Sequence, residues 1–214
     1  MLQSRWSGVH QHTTSETGIV ATRLCTHRAH VDRENAEALA KLPGTGVVFR
    51  ATDHSHGPNF CSTSSSSSSG GSGGRSFRDQ LDTVCPAPRE LTLKIGAQVI
   101  LLRTLDQATG LVNGARGIVT RFAGVANTPT IRFAVGVEVE VRPCAWSIEA
   151  GGRAVATRRQ LPLDLAWATS IHKAQGTSLD YVDVDLSRVF EAGQAYVALS
   201  RARTLAGLTL MHEF

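Results

Sequence analysis

Residues 168–204 read A-T-S-I-H-K-A-Q-G-T-S-L-D-Y-V-D-V-D-L-S-R-V-F-E-A-G-Q-A-Y-V-A-L-S-R-A-R-T. Two polar clusters stand at the ends of short apolar segments in this stretch. The first is Ser170, His172, Lys173, Gln175 and Gly176; the second is Gln194, Tyr196, Ser200 and Arg201. Between them Tyr181 to Leu186 alternates in polarity, which is the period of a strand. A helix is expected from about Gly193-Gln194 to Arg201, and a last strand over Leu208 to Met211. Polar groups at the ends of strands and helices, gathered on one edge of an α/β layer, are where such folds bind ligands.

The residue types suit phosphate. Lys173 is a point charge, and Ser170, Thr177 and His172 are short donors. Gly176 lets a backbone approach a ligand closely. Arg201 offers a planar fork that can hold a phosphoryl group through two hydrogen bonds. Spacing alone does not single this reading out, because a basic residue near a helix end also serves as a solvated cap.

Upstream, Ile19 to Cys25 reads as a buried strand, Ala29 to Leu42 as a helix with Val31, Asn35, Leu39 and Leu42 near one face, and Val47 to Ala51 as a second strand. Pro43-Gly44 ends the helix. This is the start of an α/β unit. Ser62 to Arg75 is a Ser/Gly tract, expected to be a flexible linker or loop insertion. From Leu91 the texture becomes β-rich, with short runs at Ala97–Arg103, Ile118–Phe122, Ile131–Val135 and Val137–Arg142. Gly110, Gly117, Gly124 and Gly136 punctuate them, and Asn113-Gly114 is a tight-turn dipeptide. The pattern predicts a small antiparallel barrel, SH3-like, with one wet face along the alternating Val137–Val141. Leu161 to Ala168 then resumes the α/β pattern as a strand leading into the first polar cluster. The expected architecture is an α/β domain with a parallel sheet, interrupted by the inserted barrel. Its parts run 1–17 (irregular), 18–60 (α/β, first part), 61–88 (linker), 89–157 (barrel) and 158–214 (α/β, second part).

Composition sets outer bounds. The chain has 214 residues, 42% of them hydrophobic, and a net charge of +4. Its 22 basic residues include Lys only at positions 41, 94 and 173, so the rest are Arg. This permits a nucleic-acid partner without demanding one. Cys25, Cys61, Cys85 and Cys144 show no zinc-ligand spacing and no small disulfide framework, so reduced thiols are expected. The paired histidines, including His27 and His30, lack further ligands at fitting distance and read as surface residues. No apolar run reaches the ~18 residues of a membrane span, so no membrane partner is expected.

The wording of the two clusters adds more. S-I-H-K-A-Q-G-T-S-L-D and G-Q-A-Y-V-A-L-S-R-A-R-T resemble the fifth and sixth motifs of superfamily-one DNA helicases, most closely the Pif-type family that unwinds DNA 5′ to 3′. G-I-V-A-T-R-L-C-T-H from Gly18, continued by V-D-R-E-N from Val31, resembles the fourth motif. L-K-I-G-A-Q-V-I-L-L-R from Leu93 and G-L-V-N-G-A-R-G from Gly110 resemble the inserted barrel, called 2B. The similarity runs from about Gly18 to Leu210, with the Ser/Gly tract foreign to it.

The resemblance implies a second RecA-like motor domain (2A) carrying the 2B insert. By it, Arg201 is the arginine finger that reaches the γ-phosphate of ATP, with Gln175 and Gly176 at the same cleft. Tyr196 either orients the finger or is a core aromatic, and both readings stand at this point. Ser170, His172, Lys173, Thr26 and His27 lie by the single-stranded DNA. The resemblance further implies ATP and Mg²⁺ as cofactors, localisation in the nucleus and/or mitochondrion, and a role in DNA repair, recombination or telomere maintenance.

One departure matters. No Lys is followed by Ser or Thr, so there is no G-x-x-x-x-G-K-[ST] loop, and no acidic pair is placed to hold Mg²⁺. The family carries these in an N-terminal motor half, which becomes a required partner, and the chain alone is expected to be inactive. The alternative is a non-catalytic module that binds single-stranded DNA or a protein partner. A hydrolase built on Ser178 or Cys144 is disfavoured, as no G-x-S-x-G elbow is present.

Overall fold

In a computed structural model of the chain, residues 17–56, 77–185 and 192–211 are described. The irregular N-terminus, the Ser/Gly tract, Cys61 and the end of the alternating run at Leu186 lie outside them.

Four short strands make a parallel sheet: β1 (Thr22–Cys25), β12 (Ala168–Ser170), β13 (Val182–Val184) and β14 (Leu208–Leu210), in the order β12-β1-β13-β14. β13 is fully buried, with Val182 and Val184 flanking a buried Asp183. Helix α1 (Arg28–Lys41) lies against the edge strand β12. The buried Asn35 stands in for a missing neighbour strand there. Its Nδ2 donates to the Ala168 carbonyl at 3.0 Å, and its Oδ1 accepts from the Ala168 N–H at 2.9 Å. The edge thus has its backbone groups met by a side chain. Helix α3 (Ala192–Leu199) precedes β14 and turns Gln194 and Ala198 inward.

The insert is antiparallel. Strands β5 (Gln98–Leu101), β6 (Arg116–Ala123), β7 (Thr128–Phe133), β8 (Glu138–Glu140) and β11 (Leu163–Leu165) form a sheet in the order β11-β5-β6-β7-β8. Leu93, Val99, Leu101, Val119, Ile131, Phe133 and Leu163 build its core. The two glutamates of β8 face solvent, as the alternation predicts.

Two expectations need correction. The strand at Val47–Ala51 exists as β2 (Val47–Arg50), but it pairs antiparallel with β4 (Glu90–Leu93) rather than joining the parallel sheet. Its one-sided burial suits an antiparallel position, and Phe49 meets Phe122 of β6 at 6.2 Å between ring centroids. Leu161–Ala168 is not one strand. The chain turns at Trp167, with β11 going to the insert and β12 to the parallel sheet. Asn113-Gly114 is a tight turn as expected, with the Ala115 N–H donating to the Val112 carbonyl at 2.9 Å, and it closes the longer 102–115 connection between β5 and β6.

Further elements appear where none was expected. Strand β3 (Thr52–Ser55) pairs with β10 (Arg153–Gln160), which forms a hairpin with β9 (Cys144–Ala150) about Gly151-Gly152. Both glycines have positive φ, +60° and +74°, as a type I′ turn requires. Helix α2 (Phe77–Val84) follows the Ser/Gly tract. Arg158 of β10 holds this region together, with two bonds to Asp53 of β3 (2.7 and 2.8 Å) and one to Asp82 of α2 (2.8 Å).

Two buried side chains of the insert reach into the parallel sheet. Gln98 accepts from the Val20 N–H (2.9 Å) and donates to the carbonyls of Val20 (3.0 Å) and Ala166 (2.9 Å). Arg116 donates to the carbonyls of Val20 (3.1 Å) and Tyr181 (3.2 Å) and to the Thr22 hydroxyl (3.2 Å).

Candidate functional site at the sheet edge

All four strands of the parallel sheet point the same way, so the segments leaving their C-terminal ends share one edge. Cys25 is in register with Ser170, and the Ile171 N–H donates to the Cys25 carbonyl at 3.1 Å. Thr26 and His27, which follow β1, therefore come out beside Ser170, His172 and Lys173, which follow β12. His27 is the N-cap residue of α1 and is exposed, while Thr26 is half-buried.

Ser170 organises the turn that follows it. Its Oγ accepts from the Lys173 N–H at 3.2 Å, and its carbonyl accepts from the Ala174 N–H at 3.0 Å. The hydroxyl hydrogen is left to donate to an outside oxygen. His172 is exposed. Lys173 is exposed as well, but its Nζ is paired with Asp164 of β11 at 2.9 Å. An anionic ligand therefore competes with a carboxylate of the insert for this cation.

The turn ends at Gln175 and Gly176, both exposed. Gly176 has φ +80°, and a β-carbon there would meet nothing within 4 Å. Backbone conformation, not crowding, calls for glycine at this point.

Arg201 sits just past the end of α3, half-buried. Its Nε donates to the Val197 carbonyl (3.0 Å), Nη1 to the Thr177 carbonyl (3.3 Å) and Nη2 to the Ser200 hydroxyl (2.8 Å). These three acceptors are neutral. Backbone bonds reinforce the link: Leu179 N–H to the Arg201 carbonyl (2.8 Å) and Arg203 N–H to the Leu179 carbonyl (2.9 Å). The guanidinium is thus half-buried and bonded to the carbonyl of the residue that follows Gly176. Holding a cation on neutral dipoles costs little when an incoming anion must displace only weak bonds.

Tyr196 is 75% exposed, which removes the core-aromatic reading. Gln194, by contrast, is buried and takes no part in the exposed edge. Asp164 and the Thr177 carbonyl were not singled out by motif reasoning. The one signal for Asp164 was an acid in an otherwise apolar run, L-P-L-D-L-A; the role of a backbone carbonyl leaves no trace in sequence.

The sequence family described as DNA helicase Pif1, 2B domain, matches residues 76–122. The chain is 45% identical over 201 residues to the ATP-dependent DNA helicase PIF1 of Xenopus laevis, covering 94% of this chain and 29% of that protein. The Homo sapiens protein of the same name is also 45% identical, with 94% and 28% covered. The chain therefore spans less than a third of these relatives' length. Among solved structures, Pif1 helicase from Candida albicans aligns with a TM-score of 0.72 at 32% identity, over 95% of this chain and 48% of that one. Bacteroides sp Pif1 in complex with ADP-AlF4 gives 0.69 at 28% identity, over 91% and 40%. Bacteroides Pif1 bound to ssDNA gives 0.59 at 29%, over 91% and 41%.

Proposed function

Because the chain belongs to the Pif1 helicase family, we propose that it supplies the second motor half of an ATP-dependent 5′-to-3′ DNA helicase. The observation that carries this reading is Arg201, a cation on neutral acceptors, held beside the exposed Gly176 by the Thr177 carbonyl. Such an Arg fits the charge that develops on a transferring phosphoryl group. Gln175, Gly176 and Tyr196 line the same wall of the nucleotide cleft.

ATP with Mg²⁺ supplies the driving reaction when bound between two halves. This sequence has no G-x-x-x-x-G-K-[ST] run, so the phosphate cradle and the metal ligands come from outside it. Thr26, His27, Ser170, His172 and Lys173 grip single-stranded DNA through its phosphates, which positions without reading sequence. Support comes from their shared edge and from the Bacteroides Pif1 structures in complex with ADP-AlF4 and bound to ssDNA. We read the antiparallel part as the SH3-like 2B barrel, supported by the order β11-β5-β6-β7-β8 over one core.

The test replaces the matching segment of the Xenopus laevis relative with this chain and measures ssDNA-stimulated ATP turnover. Arg201→Ala is expected to cut kcat by about 10³-fold, while ssDNA affinity stays within a factor of about two, as the finger faces the nucleotide. Unchanged turnover removes the finger assignment.

A further inference from the structure

The Arg201 guanidinium leans on the Thr177 carbonyl, and Thr177 in turn leans on Gly114 of the insert. A β-carbon at Gly114 would stand 3.0 Å from Thr177 Cβ and 3.2 Å from its Cγ2. Thr177 is itself buried and fixed from behind, with its N–H and Oγ1 both donating to the Ala174 carbonyl at 3.0 and 2.7 Å. Gly114 is fixed from the other side, since its N–H donates to the Leu101 carbonyl of β5 at 2.8 Å. Its φ of +92° lies in the left-handed region. The backbone of the insert thus abuts, without slack, the residue whose carbonyl receives Arg201.

We propose that Gly114 is a positioning residue for the arginine: the β5–β6 connection sets where Thr177 lies, and Thr177 sets where the guanidinium points. This rests on the finger reading above. It assigns the insert a part in phosphoryl chemistry that is separate from any contact with nucleic acid. A β-carbon at Gly114 presses on Thr177, which must give by a few tenths of an ångström, and that shift at the carbonyl carries over to the guanidinium. Misplacement of a catalytic group by about 1 Å costs on the order of 10²-fold.

Backbone strain alone must be told apart from this contact. Gly136, in the β7–β8 turn of the same sheet, also has positive φ (+84°), but a β-carbon there meets nothing within 4 Å. Gly136→Ala therefore carries similar strain without the push.

The experiment uses the same full-length chimera, assayed below its melting temperature. Gly114→Ala is expected to lower kcat of ssDNA-stimulated ATP hydrolysis by about 4- to 10-fold. The KM for ATP and the Kd for a labelled oligonucleotide should stay within a factor of about two, the signature of an interaction used in the transition state. Gly136→Ala should leave kcat unchanged. Thr177→Ser, which removes the methyl group facing Gly114 but keeps the hydroxyl, should lower kcat in the same direction by a smaller factor. If Gly114→Ala matches Gly136→Ala, or loses activity only in proportion to its folded fraction, the proposal is overturned. Should Gly114→Ala not fold, full turnover by Thr177→Ser overturns it instead. Arg201→Ala separates the two readings: if it retains turnover the finger assignment fails, and if it removes turnover while Gly114→Ala leaves kcat unchanged, only the positioning role fails.

Discussion

Arg158 is the place where a single substitution should cost most in stability. Its side chain is 1% exposed, and the Asp53 carboxylate it grips with two bonds is 11% exposed. Asp82, the third partner, is 40% exposed and contributes less, because solvent screens it. Replacing Arg158 by Met keeps most of the volume but leaves Asp53 buried without its cation. Breaking a buried pair from one side costs about 3–5 kcal/mol. For a domain of this size each kcal/mol moves Tm by roughly 2–4 °C, so a fall of about 10 °C is expected. Urea unfolding of Arg158→Met against the parent chain measures it directly.

A second variant, Arg158→Met with Asp53→Leu, should recover most of the loss, since the stranded charge is gone. The effect should also depend on pH. Burial works against the Asp82 carboxylate, but hydrogen bonds from Arg89 and Arg158 outweigh it and hold its pKa below the usual value. A depressed carboxylate stabilises the fold above the ordinary Asp range and loses that contribution as pH falls through its folded pKa. The gap between parent and variant should therefore narrow in acid. A cost under about 1 kcal/mol for the single variant, or no recovery in the double, refutes the account of Arg158 as a buried tie.

Two further outcomes are expected. Asp164→Asn frees Lys173 from its partner; affinity of the chain for a single-stranded oligonucleotide should rise several-fold at low salt, with the gain shrinking as salt screens it, as read by fluorescence anisotropy. Asn35→Ala strips both backbone groups of Ala168 of their partner and should cost about 2–4 kcal/mol in urea unfolding.

What the sequence made legible follows from how local each signal is. Strands β1, β5 to β8, β13 and β14 and helices α1 and α3 announce themselves through the period of their own residues. Even the inward Asn35 falls on the predicted face of α1. The fate of Val47–Arg50 is not local: it depends on Glu90–Leu93, some forty residues away across the Ser/Gly tract. The β9–β10 hairpin was legible in principle, since two alternating runs flank Gly151-Gly152, yet Cys144 to Gln160 mixes apolar and charged residues enough to hide it. Arg201, Gly176 and Ser170 stand out by type and motif. Their partners do not: the Thr177 carbonyl is backbone, Asp164 belongs to the other sheet, and Gly114 matters through contact with a residue sixty-three positions later.

Gln98 and Arg116 make the insert hard to remove. Each is buried and spends its donors on carbonyls of Val20, Ala166 or Tyr181, all flanking the parallel strands. Cut the antiparallel strands out, splice the ends, and those carbonyls are left facing whatever replaces them. The parallel sheet therefore depends on the insert for partners to its own flanking carbonyls. Grafting the insert onto another host would likewise require the host to present the same three oxygens.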